Sequence, residues 1–375
     1  MIAEDSSRRP AIIHTNPASS FACDYVAGVN RVLSLPPYLL IDNIGRNVEL
    51  WRFPADAAEP SGRARYDDTA YSDPIASLLD VDIHAAFLRD AGRELLTVNH
   101  YGRVRAFATP PADTRMRLTW ECQLLGDMER VAIARDCFIG SSPRGEFTDD
   151  PAQPGLFLFE PMREVHTRRD PAERLRYEQA LADWGVISAL AVSSSSDRLA
   201  LAAGTRVAVF AVSVSSAGLR LGECLWESTL DFSGQWLHFG AGARLWAGGH
   251  RPIASGSGSE DADACCGGGI HVFDRDGGSS RWRVSLPEET AWGYGADPIV
   301  LLDGERDLFV LGRDASLTGI GVRTGESCRL YGAIDEAGEG GATLGIGHAA
   351  ARGRWIYAGF SRGGFRLLRY DTRPS

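Results

Sequence analysis

The densest group of potential ligands in the chain is the run SGSGSEDADACCGGG. It places Glu260, Asp261, Asp263, Cys265 and Cys266 within seven residues, with His271 close behind. Carboxylate, thiolate and imidazole could together ligate a metal ion. Adjacent cysteines rarely both reach one tetrahedral ion, however, and the two-residue spacing of the usual zinc pairs is missing. The Gly, Ser and acidic content predicts instead a flexible, solvated loop over about 251–269, and no metal or other cofactor is assigned.

Three histidines, His84, His238 and His348, fall at the starts of apolar alternating runs, where convergence could build a metal or acid/base site. Their offsets from the following run differ, so the expected role is structural, each ring satisfied by a hydrogen bond. The run SSSSDR at Ser193 to Arg198 has the composition of a phosphate loop. It lies between two apolar runs with no helical pattern after it, so a turn is expected. No nucleophile elbow, nucleotide loop, dinucleotide fingerprint or zinc-protease helix is found, and no catalytic residue is assigned.

A better candidate for function lies in the stretch 163–185. Asp170, Pro171 and Glu173 together form a helix start signal, and Gly185 supplies a stop, which predicts a helix over Asp170 to Trp184. Helical spacing would put Tyr177, Leu181 and Trp184 on one side, while Arg168, Arg169 and Arg174 make the beginning basic. The apolar stripe could pack on the parent domain. Alternatively these six residues form a protein-docking surface, since Trp, Tyr and Arg are the types that carry binding energy at interfaces.

The rest of the chain must position these residues, and most of it repeats one unit. The clearest copy is VISALAVSSSSDRLALAAGTRVAVFAV, Val186 to Val212, three β-type runs separated by tight turns. The pattern V-x-x-aromatic recurs at Val48 to Trp51, Val104 to Phe107 and Val207 to Phe210. Units begin near residues 29, 81, 129, 186, 234, 297 and 342, which gives seven repeats of four strands with insertions. The last unit ends one strand short. Ala11 to Thr15, AIIHT, is the expected donor of its missing edge.

GRNVELWRF, GRVRAFAT, GTRVAVFAV and GGIHVFDR resemble the end-of-repeat pattern of the WD-repeat-like β-propeller superfamily, and SDRLALAAG and GRELLTVN resemble its middle strand. The resemblance spans nearly the whole chain. It implies an all-β, seven-bladed propeller of four-stranded blades in a single domain over 1–375, its ring closed by the N-terminal strand and interrupted by one helical insertion. It also implies a rigid platform that binds other proteins on its faces.

Composition narrows the partners. With 39 basic and 49 acidic residues the net charge is -10, which favours neither nucleic acid nor an anionic membrane surface. Every basic residue is Arg; no Lys occurs. A GC-rich, bacterial genome accounts for this, and selection against amine modification is the alternative. No apolar run approaches the ~18 residues of a membrane span, the N-terminus does not read as a secretory signal, and seven scattered cysteines suggest no disulfide framework. The expectation is a cytoplasmic, non-enzymatic scaffold or adaptor with protein partners. The competing reading is a metal-dependent hydrolase or lactonase of propeller type, using Asp82, Glu129, Asp297 and Asn30 near the starts of the first strands.

Overall fold

The computed structural model describes residues 8–15, 29–35, 37–43, 47–52, 62–67, 83–89, 92–99, 102–109, 116–123, 130–134, 137–142, 155–161, 175–177, 181, 184–215, 218–251, 266–288, 290, 299–301, 307–312, 317–322, 327–331, 346–352, 355–360 and 365–374. Among them the protein is all-β, with no α-helix, and its strands form seven four-stranded antiparallel sheets. The chain divides into two compact units, the first made of residues 1–67, 111–114 and 286–375, the second of 68–110 and 115–285.

The first unit opens with β1 (Arg8–Thr15). One sheet follows in simple up-and-down order, β2 (Val29–Leu35), β3 (Tyr38–Asn43), β4 (Asn47–Arg52) and β5 (Gly62–Asp67). The second unit carries four sheets. The first has β6 (Ile83–Arg89), β7 (Glu94–Asn99), β8 (Arg103–Ala108) and β9 (Arg117–Gln123). The next has β10 (Arg130–Ala134), β11 (Cys137–Ser142), β12 (Gly155–Pro161) and β13 (Leu175–Tyr177). The third has β14 (Ala189–Val192), β15 (Arg198–Ala203), β16 (Arg206–Ser215) and β17 (Gly218–Thr229). The fourth has β18 (Ser233–Phe239), β19 (Leu245–Arg251), β20 (Cys266–Phe273) and β21 (Ser280–Leu286).

The chain then returns to the first unit with β22 (Ile299–Leu301), β23 (Asp307–Leu311), β24 (Leu317–Gly321) and β25 (Ser327–Tyr331). The last sheet contains β26 (Ile346–Arg352), β27 (Trp355–Phe360) and β28 (Phe365–Pro374), and its fourth strand is β1. The pairing of β1 with β28 runs from Arg8 opposite Pro374 to Thr15 opposite Leu368. The expected donor, Ala11 to Thr15, therefore lies within the strand that completes this sheet.

Within the second unit, β6, β10, β14 and β18 pack in succession, so the first strand of each sheet lies beside the first strand of the next. Strands β15 and β16 are buried on both faces, which explains their almost continuous apolar sequence. Leu199, Leu201, Ala208 and Phe210 point into a core shared with Ala134, Cys137 and Ile139 of the preceding sheet. Ala200, Ala202, Val207 and Val209 point the other way, against Leu237, Leu245, Ala247 and Phe273 of the following sheet. The two-residue alternation of a strand thus serves two cores at once.

Two expectations are corrected. The helix over Asp170 to Trp184 does not hold at Leu175, Arg176 and Tyr177, which form β13 and pair with Phe159, Leu158 and Phe157. Strand β12 would otherwise leave its outer backbone groups unpaired, and satisfying that ladder outweighs a local capping signal. Asp170, Pro171 and Glu173 lie outside the described residues. The loop over 251–269 is also shorter at its far end, because Cys266 and the glycines after it belong to β20, with Gly269 opposite Gly249 and Gly268 opposite His250. Those glycines are required by close packing. A Cβ at Gly269 would lie 2.9 Å from the Phe232 ring, and one at Gly268 would lie 2.1 Å from the Gly249 carbonyl oxygen.

Candidate functional site

The end of the predicted insertion becomes a constructed surface on the second unit. Trp184 packs partly buried against the core formed by Leu199, Leu201 and their neighbours, with its ring 5.9 Å from that of Phe210. The turn at Gly204, where φ is +55°, reverses the chain into β16 and places Arg206 beside it. The Arg206 guanidinium carbon sits 4.2 Å from the Trp184 ring centre, and its Nε donates to Glu227 Oε1 at 2.9 Å. Arg206 therefore uses a face on the indole and one edge on a carboxylate while remaining 40% exposed. Two residues after Trp184, Val186 is 43% exposed, one of two large hydrophobic side chains turned to solvent among the described residues. A half-buried indole, a fixed cation over its ring and an exposed aliphatic group are thus placed on one stretch of the second unit.

The predicted docking residues are distributed differently from expectation. Leu181 is 1% exposed and belongs to the core, so its apolar stem supports the site from beneath. Tyr177 contributes a backbone pair to Phe157 at the sheet edge. Trp184 alone of the six is placed at the described surface; Arg168, Arg169 and Arg174 lie outside the described residues. Sequence reasoning missed Arg206 and Glu227, although a signal was present. Arg103 also stands just before a V-x-x-aromatic run and reaches Glu121 on the outer strand at 3.3 Å, so an Arg there and a Glu on the outer strand form a recurring diagonal pair.

The remaining candidates resolve as follows. Ser193 to Arg198 is a turn: the Ser193 amide donates to the Arg198 carbonyl at 3.0 Å, and Ser196 takes a φ of 56°. Ser193 Oγ donates to Asp197 Oδ1 at 2.8 Å and Ser195 Oγ donates to the same oxygen. These bonds, Ser195 first and Ser193 next, hold the Asp197 carboxyl below its usual range. The hydroxyls are used within the turn. His84 and His348 lie on the first strands β6 and β26, and His238 on β18 is exposed, with its ring stacked 5.9 Å from Trp236. Asn30 lies on β2. Asp82, Glu129 and Asp297, like Glu260, Asp261, Asp263 and Cys265, lie outside the described residues, among which no group of three metal-ligating side chains occurs.

His271 has a different partner from the acidic run near it in sequence. It is 3% exposed, edge-on to Phe232 with ring centres 5.1 Å apart, and its Nε2 lies 2.8 Å from Asp231 Oδ1. A carboxylate at that distance requires the proton on Nε2, so the imidazole donates. Asp231 also accepts from Arg251 at 3.1 Å, joining β19 and β20 to the link before β18. Burial pushes the His271 pKa down, and Arg283 adds to this, against the opposing pull of Asp231. For Asp231, burial pushes upward but is outweighed by His271 and Arg251, so its carboxyl sits below the usual range.

No family model matches the chain, and no curated protein is significantly similar to it.

Proposed function

We propose that the protein is a non-enzymatic interaction scaffold, a WD-repeat-like β-propeller whose seven sheets are its blades and whose ring is closed by β1. The observation that carries the functional reading is the surface at Trp184. An indole is braced by Arg206 and Glu227, shares its core with the buried Leu181, and is followed two residues later by exposed Val186. Side chains fixed before binding lose little conformational entropy on docking, which raises affinity for a given contact area. Strands β15 and β16, buried on both faces beside the site, supply the necessary rigidity, and a cytoplasmic multiprotein assembly is the setting that suits such a platform.

The test places a photo-crosslinking amino acid at Val186 and, as a control, at Ser213, an exposed residue on β16. Crosslinking in the native host is expected to yield one stoichiometric protein partner from position 186 and not from 213. Trp184→Ala in the same background is expected to abolish the crosslink while leaving the circular dichroism unchanged. Equal crosslinking from both positions, or a crosslink that survives Trp184→Ala, would remove the surface from the scaffold reading.

A further inference from the structure

Arg130, the first residue of β10, ties together three neighbouring first strands. Its Nε donates to the Ser188 carbonyl at 2.8 Å, and its Nη2 donates to the Gln235 carbonyl at 3.3 Å. Ser188 immediately precedes β14. Gln235 is the residue by which β18 slips register against β19, between Gly234 and Trp236. Ser188 Oγ in turn donates to the Gly234 carbonyl. Bulges of this kind re-aim backbone groups and gather at functional rims. The same slip falls on β6, between Ile83 and Ala85, which puts His84 at the bulge on the other side of β10.

A guanidinium has two usable edges. In Arg130 the Nε–Nη2 edge is occupied by two backbone carbonyls, leaving Nη1 and the second Nη2 hydrogen on the opposite edge. Among the described residues no carboxylate pairs with this half-buried charge and Nη1 makes no hydrogen bond. A guanidinium already held in place by two carbonyls loses little freedom when its remaining edge takes up an anion. This edge, unpaired among the described residues, is planar and two-donor, which matches a carboxylate in bidentate geometry. Ser188 and Gln235, which hold the guanidinium, bring no second positive charge, so a singly charged carboxylate is balanced better than a phosphate dianion.

We propose that Arg130 anchors a carboxylate-binding site at the end of the second unit where its first strands begin. The headgroup comes from an acidic side chain or chain terminus of a partner protein, or from a small carboxylate molecule of the same chemistry. The site does not depend on the Trp184 surface and stands or falls separately.

The test follows the Arg side-chain NMR signals of the full-length protein during titration with sodium acetate and, separately, sodium chloride. The Arg130 Nε–H and Nη resonances, assigned by their loss in Arg130→Lys, are expected to shift saturably with acetate and only weakly with chloride. Arg130→Lys keeps the charge but loses the two-donor edge, and is expected to weaken acetate binding about tenfold or more, since charge-assisted bidentate bonds contribute at that level. A capped peptide with one free C-terminal carboxylate that binds more tightly than acetate, and loses this on amidation, would identify a protein source; no advantage over acetate would identify a small-molecule source. Arg130 signals that respond alike to both salts, or that stay unmoved because the chain's own carboxylate already holds that edge, would overturn the proposal. The wild-type titration decides this even if the variant folds poorly.

Discussion

Removing Trp184 and Arg206 singly and together separates what their contact does for the fold from what it does for docking. The cation–π contact at 4.2 Å is worth about 0.5–1 kcal/mol at an exposed site. The Arg206–Glu227 pair, both side chains more than one third exposed, adds about 0.2–1 kcal/mol. Arg206→Ala is therefore expected to destabilise the protein by about 1–2 kcal/mol. Trp184→Ala loses the cation–π contact, the tilted contact with Phe210 and part of its burial, about 2–3 kcal/mol together. The double variant should fall short of the sum by about 0.5–1 kcal/mol, the coupling between the two groups. Urea unfolding followed by far-ultraviolet circular dichroism measures all three variants. Partner affinity, once the crosslinked protein is in hand, should fall about 30-fold or more for Trp184→Ala, as for an interface hot spot. A coupling below about 0.3 kcal/mol, within the usual error of additivity, would refute the stacked geometry. Unchanged affinity alongside normal coupling would leave the pair as a fold element and refute its docking role.

Other perturbations test the supporting structure. Gly249→Ala should destabilise more than Gly269→Ala, because its Cβ would lie 1.8 Å from the Ser233 carbonyl oxygen, which cannot yield as the Phe232 ring near Gly269 can; Gly277→Ala, with open space, should be neutral, and thermal melts giving the reverse order would contradict the packing. His271, with its pKa depressed by burial, binds fewer protons folded than unfolded, so stability should fall as pH drops below the unfolded value of about 6.5 toward the folded one. His271→Gln should remove that slope, and an NMR titration placing the wild-type ring above about 6.5 would reverse the sign. Deleting residues 1–15 takes away the partner of β28 and should expose a pairing edge that self-associates; a truncated protein that light scattering finds monomeric would count against that role for β1.

The repeat was legible because it rests on local rules. Alternating apolar residues and glycine turns mark strands wherever a sheet is buried, so the bounds of β14 to β17 follow from the sequence within a few residues. What was not legible depends on contacts distant in the chain. Leu175 to Tyr177 sit just after a helix start signal, and only the unpaired side of β12 draws them into a sheet. Glycines at 267–269 suggest a loop because the residue is permissive, yet in β20 the value of Gly268 and Gly269 is the missing side chain, against the Gly249 carbonyl and beneath Phe232. Asp231 and His271 are 40 positions apart in the numbering, and no local pattern announces their meeting. The partners of Arg130 are backbone carbonyls, which no residue type encodes.

The lysine-free composition gains a physical reading from these sites. At Arg206 one group stacks on an indole and donates to Glu227. At Arg130 one edge is committed to the scaffold while the other is left for a ligand. A planar fork can divide its donors in this way, whereas an ammonium concentrates its charge at one point and offers neither a stacking face nor two separate edges. Genome composition can fill a surface with Arg at no structural gain, so the two explanations diverge at particular positions. Arg275, exposed and 3.7 Å from Asp276, and Arg251, exposed and paired with Asp231, are positions where Lys should serve nearly as well. Arg206→Lys should instead lose most of the Trp184 coupling energy, and Arg130→Lys should loosen the tie across β10, β14 and β18, lowering the melting temperature by about 1–2 °C for each kcal/mol lost in a chain of 375 residues. If all four substitutions prove equally mild, the arginines of this protein reflect composition alone, and the division of labour assigned to Arg206 and Arg130 fails with that result.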